Sequence, residues 1–299
     1  MLVKTSDVNL IKTLFKKLVL PQPNSHKGQN GKVLIIGGSS LFHAASLWAA
    51  EVCSHFSDMV HYSSTLENEK IFHELKKIFR NGIIVPQKEL DHYIKEDDVV
   101  LIGPGMVRGS QKSKVKSQNY NLKVKSEAQY TRQLVFYLID KFPEKKFVFD
   151  AGALQMMDKE WLMKLKTPAI ITPHQKEFER LFGISILDKP QKEKENIVKE
   201  TSDKYKTTIL LKAVVDIISD GSEIVVVEGG NAGLTKGGTG DVLAGLTSSF
   251  YAKNTSLHSS IFASILLKIT SEELFKTSGY WYNIDDIIKS LPKTLKNLL

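Results

Sequence analysis

Short apolar runs that stop on small or polar residues recur along the chain, separated by longer stretches with helical spacing. Lys32 to Ile36 is stopped by Gly37 and Gly38, and Asp97 to Ile102 ends at Gly103-Pro104-Gly105. Phe147 to Phe149 ends at Asp150, Ala169 to Ile171 at Thr172-Pro173-His174, and Thr208 to Leu211 at Lys212. Such runs predict strands buried on both faces, and their alternation with helices predicts a largely parallel sheet covered on both sides. Ligands of open α/β sheets lie at the carboxyl ends of the strands, so the candidate chemistry converges on one edge. One hairpin interrupts the alternation: Val215 to Ser219 and Glu223 to Val227 flank Asp220-Gly221, which predicts antiparallel pairing. Near the start, Leu10, Ile11, Leu14, Phe15 and Leu18 predict an amphipathic helix ending before Pro21.

Composition adds limits. With 299 residues, 42% hydrophobic and 25% charged, the chain has the makeup of a globular protein. Neither a linker nor an internal repeat divides it, so one domain over 1–299 is expected. The single cysteine, Cys53, excludes a disulfide framework and favours a reducing cytoplasmic setting; Cys53 itself is expected in the core. Lysines interrupt the N-terminus before a signal-like block forms, and no apolar run is long enough to span a membrane. The net charge of +8 raises the question of nucleic acid. Five lysines between Ser110 and Ser126 carry most of that excess, in a stretch without apolar period that reads as a solvated insertion at 110–126. This confinement argues against nucleic acid as a partner.

The most informative segment is Asn231 to Gly245, NAGLTKGGTGDVLAG. Gly237, Gly238, Thr239 and Gly240 precede Asp241, after which Val242, Leu243, Leu246 and Phe250 recur at helical spacing, so a glycine loop opens a helix. Free N–H groups and the positive end of the helix dipole at such a terminus can hold a phosphate, with Asp241 ready to take a proton from a hydroxyl. The same spacing is compatible with an ordinary turn in which Asp241 complements the dipole.

This segment and the rest of the chain resemble the ADP-dependent NAD(P)H-hydrate dehydratases of the ribokinase-like superfamily, found alone or behind an epimerase domain; no N-terminal epimerase domain is expected here. The resemblance covers about Ser25 to Leu291. It rests on His26-Lys27-Gly28 with Gly31, KVLIIGGS at Lys32 to Ser39, GPG at Gly103 to Gly105 and DAGAL at Asp150 to Leu154. TPHQKEF at Thr172 to Phe178, ILLKA at Ile209 to Ala213 and GGTGD at Gly237 to Asp241 follow in family order. The resemblance implies a ribokinase-like three-layer α/β/α sandwich with a mostly parallel central sheet and an antiparallel hairpin. It implies repair of damaged nicotinamide cofactors: dehydration of (S)-NADHX or (S)-NADPHX, coupled to cleavage of ADP, with ATP as a conceivable substitute and Mg2+ on the nucleotide. Asp241 matches the catalytic aspartate. Ala44 or Ala45, Gly105 and His174 match dinucleotide-substrate contacts. Lys212, Ala213, Val214, Val215 and Asp216 match the stretch lining the adenosine nucleotide, while Gly238, Thr239 and Gly240 form the anion hole. No metal-ligand cluster is visible, and a homo-oligomer is compatible with the sequence.

Plainer readings stand beside these. Thr172-Pro173-His174-Gln175 can be a helix start with Thr172 as N-cap and Gln175 completing a capping box. Asp150, Gly152 and Leu154 can be a strand end and turn. Departures from the family include His43-Ala44 where two small residues are usual, Lys212-Ala213 for Lys-Gly, and Ser54 to Asp58 in place of an arginine and glycines. A ribokinase-like kinase that phosphorylates an alcohol without elimination would use the same aspartate, whereas a non-catalytic nucleotide-binding regulator would have no need of it.

Overall fold

The protein is described here by a computed structural model covering residues 1–107 and 126–299. The lysine-rich insertion, apart from Ser126, lies outside the described residues. The chain begins with β1 (Leu2–Lys4), α1 (Val8–Phe15), β2 (Lys32–Ile36), α2 (Ala44–Phe56), β3 (Met59–Ser63), α3 (Leu66–Leu75) and β4 (Ile83–Ile84). There follow α4 (Leu90–Glu96), β5 (Val99–Ile102), α5 (Glu127–Lys141), β6 (Lys146–Phe149), α6 (Ala151–Met156), β7 (Ile170–Ile171), α7 (Gln175–Phe182) and α8 (Gln191–Tyr205). The last elements are β8 (Thr208–Leu211), β9 (Asp216–Ser219), β10 (Ile224–Glu228), α9 (Thr239–Tyr251), α10 (Ser256–Ser278) and α11 (Ile284–Leu298).

All these strands join one sheet in the order β1-β10-β9-β8-β7-β6-β5-β2-β3-β4. Pairing is parallel from β4 across to β8 and again between β1 and β10, while β9 runs antiparallel to both its neighbours. The predicted hairpin is therefore present, with its strands at Asp216–Ser219 and Ile224–Glu228. Strand β1 was not visible in the hydrophobic pattern, since three residues carry no period. The first helix is shorter than predicted and ends at Phe15, yet Leu18 still packs into the core beyond it.

The strands are apolar on both faces because both are covered. Leu34, Ile36, Val100, Ile102, Phe147 and Phe149 face a core shared with α4 to α8. Their neighbours Val33, Ile35, Val99, Leu101 and Val148 face the other way, toward α2 and α9. Helices α1, α10 and α11 complete that second layer over β8 to β10. Cys53 is fully buried there, as expected, and burial pushes its thiol up to about 12, the range of an inert core cysteine. Helix α9 lies deepest: apart from Gly240 and Asp241 in its first turn, its residues are buried. An added Cβ on Gly245 would sit 3.0 Å from the Ala49 carbonyl, so glycine is what lets α9 and α2 approach so closely.

Candidate active site

The seven parallel strands β2 to β8 end on one edge of the sheet, and β10 points the same way because β9 is antiparallel to both its neighbours. The Gly37, Gly103, Asp150, Thr172, Lys212 and Gly229 strand ends therefore face a common rim. Asp150 and Lys212 meet there, although 62 positions separate them.

At its centre is a buried ion pair. Asp150, 1% exposed, accepts hydrogen bonds on the same carboxylate oxygen from Lys212 Nζ and from Thr172 Oγ1, each at 2.7 Å. Burial opposes the charge on Lys212, but Asp150, Glu177 and Asp241 outweigh it and hold the ammonium pKa above its ordinary value. The lysine stays a cation and cannot serve as a base. Its ammonium reaches the first turn of α9, where an added Cβ on Gly240 would lie 3.4 Å from Nζ. Directly after Asp150 the backbone turns left-handed at Ala151, φ 43°, a conformation costing a non-glycine residue about 1 to 2 kcal/mol. Hydrogen bonds from Asp150 N to Ile102 O and from Gly152 N to Gly103 O hold it there. Strain of this kind gathers at functional sites.

Asp241 stands in the first turn of α9, partly buried. Loss of hydration, with the Asp150 carboxylate nearby, pushes its pKa up to about 7, against the pull of Lys212 and of its own backbone N–H. A carboxylate so poised is matched to proton exchange near neutral pH. Gly238 caps the helix in the left-handed region, φ 105°, pressed against the Trp48 ring and Ile284. A side chain there would come within 2.6 Å of Trp48. Thr239 is buried, and its hydroxyl donates to Lys236 O at 2.8 Å, tightening the loop from within. The helix thus begins without a side-chain cap, its first-turn N–H groups set beside a lysine cation.

His174 corrects the expected helix start. The N-cap of α7 is His174, not Thr172: His174 Nδ1 accepts the Glu177 N–H at 3.1 Å, and Glu177 Oε2 accepts the His174 N–H at 3.0 Å. Thr172 is spent on Asp150 instead. With Nδ1 taken up as an acceptor, Nε2, 3.6 Å from Glu177 Oε2, is the ring nitrogen that this half-exposed side chain leaves for a ligand. The sequence signal was present, since Glu177 follows His174 by three; histidine is simply an uncommon cap.

Across the rim, Gly105 packs between Ala45 and Gly38, its virtual Cβ 3.1 Å from Ala45 Cβ and 3.2 Å from Gly38 Cα. The GPG loop, the loop after β2 and the start of α2 therefore form one floor. Ala44 is exposed on it and Ala45 partly so. His43, where a small residue is usual, is accommodated because its Nδ1 meets Asn68 Oδ1 at 2.5 Å while Asn68 Nδ2 donates to Ser39 O. The same floor borders a cleft lined by Ser64, Met106, Glu127 and Tyr130, residues the sequence reading did not single out.

The segment after β8 divides. Lys212 points into the rim, and Val214, 89% exposed, tops an open turn with Ala213 and Val215. Asp216 turns the other way, its carboxylate accepting from Ala213 N at 3.0 Å and from Ser264 Oγ at 2.7 Å. Its side chain thus braces the turn from inside the protein instead of facing the rim. The His26-Lys27-Gly28 opening also lies elsewhere, before β2, where Asp58 accepts the Gly28 and Asn30 N–H groups.

The architecture is that of the ribokinase-like class of α/β proteins. Within that class, the chain belongs to the NAD(P)H-hydrate dehydratase family, whose sequence pattern matches residues 33–293. A bifunctional NAD(P)H-hydrate repair enzyme of Methanocaldococcus jannaschii is 32% identical over 278 residues, covering 91% of this chain and 50% of that protein. The chain thus spans about half the length of the bifunctional relatives it matches. An ADP-dependent (S)-NAD(P)H-hydrate dehydratase of Nitrosopumilus maritimus is 27% identical and covers 96% of both chains. Among solved structures, the ADP/ATP-dependent NAD(P)H-hydrate dehydratase of Bacillus subtilis, crystallised with ATP and Mg2+, superimposes with a TM-score of 0.74 at 21% identity over 97% of each chain.

Proposed function

We propose that this protein dehydrates (S)-NADHX or (S)-NADPHX to the reduced cofactor while splitting ADP to AMP and phosphate. The observation that carries the reading is Asp241, with its raised pKa, at an uncapped helix terminus beside a permanent lysine cation. A hydroxyl is a poor leaving group, so it is first made a phosphate ester. Asp241 takes the hydroxyl proton as the oxygen attacks the terminal phosphorus and AMP departs. Lys212 and the first-turn amides of Gly238 to Gly240 stabilise charge on the transferring phosphoryl group, with Asp150 fixing the lysine in place. Expulsion of phosphate, pushed by the ring nitrogen, and loss of the neighbouring carbon-bound proton restore the double bond. His174 Nε2 and the Gly105–Ala45 floor hold the dinucleotide, and the turn from Lys212 to Val215 receives the nucleotide.

The relatives' names and the Mg2+ of the B. subtilis structure support ADP, with ATP as substitute, and magnesium. Among the described residues no group of three or more potential ligand side chains could hold a metal ion. Magnesium fits as a passenger on the nucleotide phosphates, where it would neutralise phosphate charge. No described helix is long and apolar enough to cross a membrane. With one buried cysteine, the protein suits a reducing cytoplasm as a single ribokinase-like unit bearing the lysine-rich insertion.

The test is to incubate purified protein with NADHX and ADP or ATP and follow recovery of reduced-nicotinamide absorbance. Recovery with stoichiometric AMP and phosphate is expected. A stable phosphorylated alcohol with no reduced nicotinamide would replace this reading with that of a kinase.

A further inference from the structure

Helix α10 is buried along most of its length, yet four polar side chains, Ser264, Lys268, Ser271 and Glu272, recur on one of its faces at spacings of four, three and one. A lysine 4% exposed is unusual unless its charge is placed with a purpose. Lys268 Nζ donates to Val214 O at 3.0 Å and to Gly229 O at 3.4 Å, and lies 3.6 Å from Asp216 Oδ2. It therefore joins two loops far apart in sequence: the turn from Lys212 to Asp216, and the start of the loop that leads through Gly238 to Asp241. The other three side chains act on the same two loops. Ser264 donates to Asp216, Glu272 accepts the Gly230 N–H at 2.7 Å, and Ser271 Oγ accepts from Asn231 Nδ2 at 3.3 Å.

We propose that Lys268 is a positioning residue for the nucleotide, its ammonium locking the Lys212–Asp216 turn to the base of the phosphate loop so that both ends of the nucleotide meet a preformed site. The inference deepens the dehydratase reading and depends on it only for the turnover assay. Lys268 is buried behind the rim and away from the hydrate floor, and its hydrogen bonds are to loop carbonyls that set loop separation. Without it, each nucleotide must pay for bringing the two loops into register, which weakens nucleotide binding while leaving the hydrate floor of Gly105, Ala45 and His174 as it was.

The test uses Lys268→Met, with Lys268→Met/Asp216→Asn as a second variant so that no unpaired carboxylate is left buried should the first fail to fold. ADP binding is measured by calorimetry without hydrate, and KM for ADP and for NADHX separately by turnover. Expected is an ADP affinity and KM weakened by about tenfold to a hundredfold, the scale of losing hydrogen bonds to a charged group, with the NADHX KM moving less than about threefold. An unchanged ADP affinity in a folded variant, or equal rises in both KM values, overturns the proposal, since a merely structural lysine would lower the melting temperature without that split. If wild type binds ADP but regenerates no cofactor, the dehydratase reading falls and the calorimetric comparison alone judges Lys268. If wild type does not bind ADP, both fall.

Discussion

Replacing Asp241 by Asn separates catalysis from stability, and the structure gives each a sign. Asn nearly keeps the shape but cannot accept the hydroxyl proton, so turnover should fall about 10² to 10⁴-fold while ADP binding persists. A charge at a helix N-terminus would by itself make Asp the more stable residue by about 0.3 to 1 kcal/mol. Burial reverses that expectation. With a folded-state pKa of about 7 against an ordinary 3.8, native Asp241 retains a proton that the unfolded chain has already released. Its ionised form then costs stability that begins near pH 4, grows with pH and is fully present above about 7, amounting by linkage to about 4 kcal/mol. Asp241→Asn should therefore be more stable than wild type at pH 8 by up to that amount, with the gain vanishing toward pH 4. Denaturant titrations at pH 4, 6 and 8 and single-turnover assays at each pH read both effects. In wild type, kcat/KM should rise with pH to a plateau above about 7, because the free enzyme needs the carboxylate ionised. Near-normal turnover in the variant would end the proton-acceptor role, and a variant less stable at pH 8 would refute the burial argument even if activity were lost.

Gly238→Ala places a Cβ within 2.8 Å of both Trp48 and Ile284 at φ 105°, so the phosphate loop must shift; turnover should drop by about a hundredfold or more, as displacements of about 1 Å do. Gly237→Ala, with nothing within 4 Å of the added carbon, should lose less than about tenfold in the same assay, and equal losses would show that the wall behind Gly238 is unimportant. Lys212→Met strands the buried Asp150 carboxylate and should destabilise by about 3 to 5 kcal/mol in urea titrations. Adding Asp150→Asn should recover most of that stability but not turnover, and restored turnover would remove Lys212 from the mechanism. ADP at a hundred times its Kd should add about 2.7 kcal/mol and raise the melting temperature by several degrees, more than GDP or CDP; equal shifts from all three would mean a phosphate site without an adenine pocket.

Most of the rim was legible because it depends on local punctuation. An apolar run cut off by glycine, aspartate or lysine marks a strand end whatever the fold around it, and GGTGD before a helical period marks a helix terminus. What could not be read were relations across strands. Asp150 and Lys212 close ion pairing follows from β6, β7 and β8 lying side by side, an adjacency no local pattern encodes. For the same reason Thr172 reads as a helix cap when its real partner is Asp150, leaving the cap to His174. Asp216 belongs to a turn whose other half, Ser264 and Lys268, arrives about fifty residues later, so its inward carboxylate is invisible from the segment itself.

The packing of Gly238 between Trp48 and Ile284 also sets a timetable. Synthesis makes the whole GGTGD loop well before it adds Ile284, whose side chain closes the loop from behind. Until α11 has been made and has folded back, the glycine loop has an open side. On the growing chain the loop therefore reaches its packed form only after Ile284 has been added, late relative to its own synthesis.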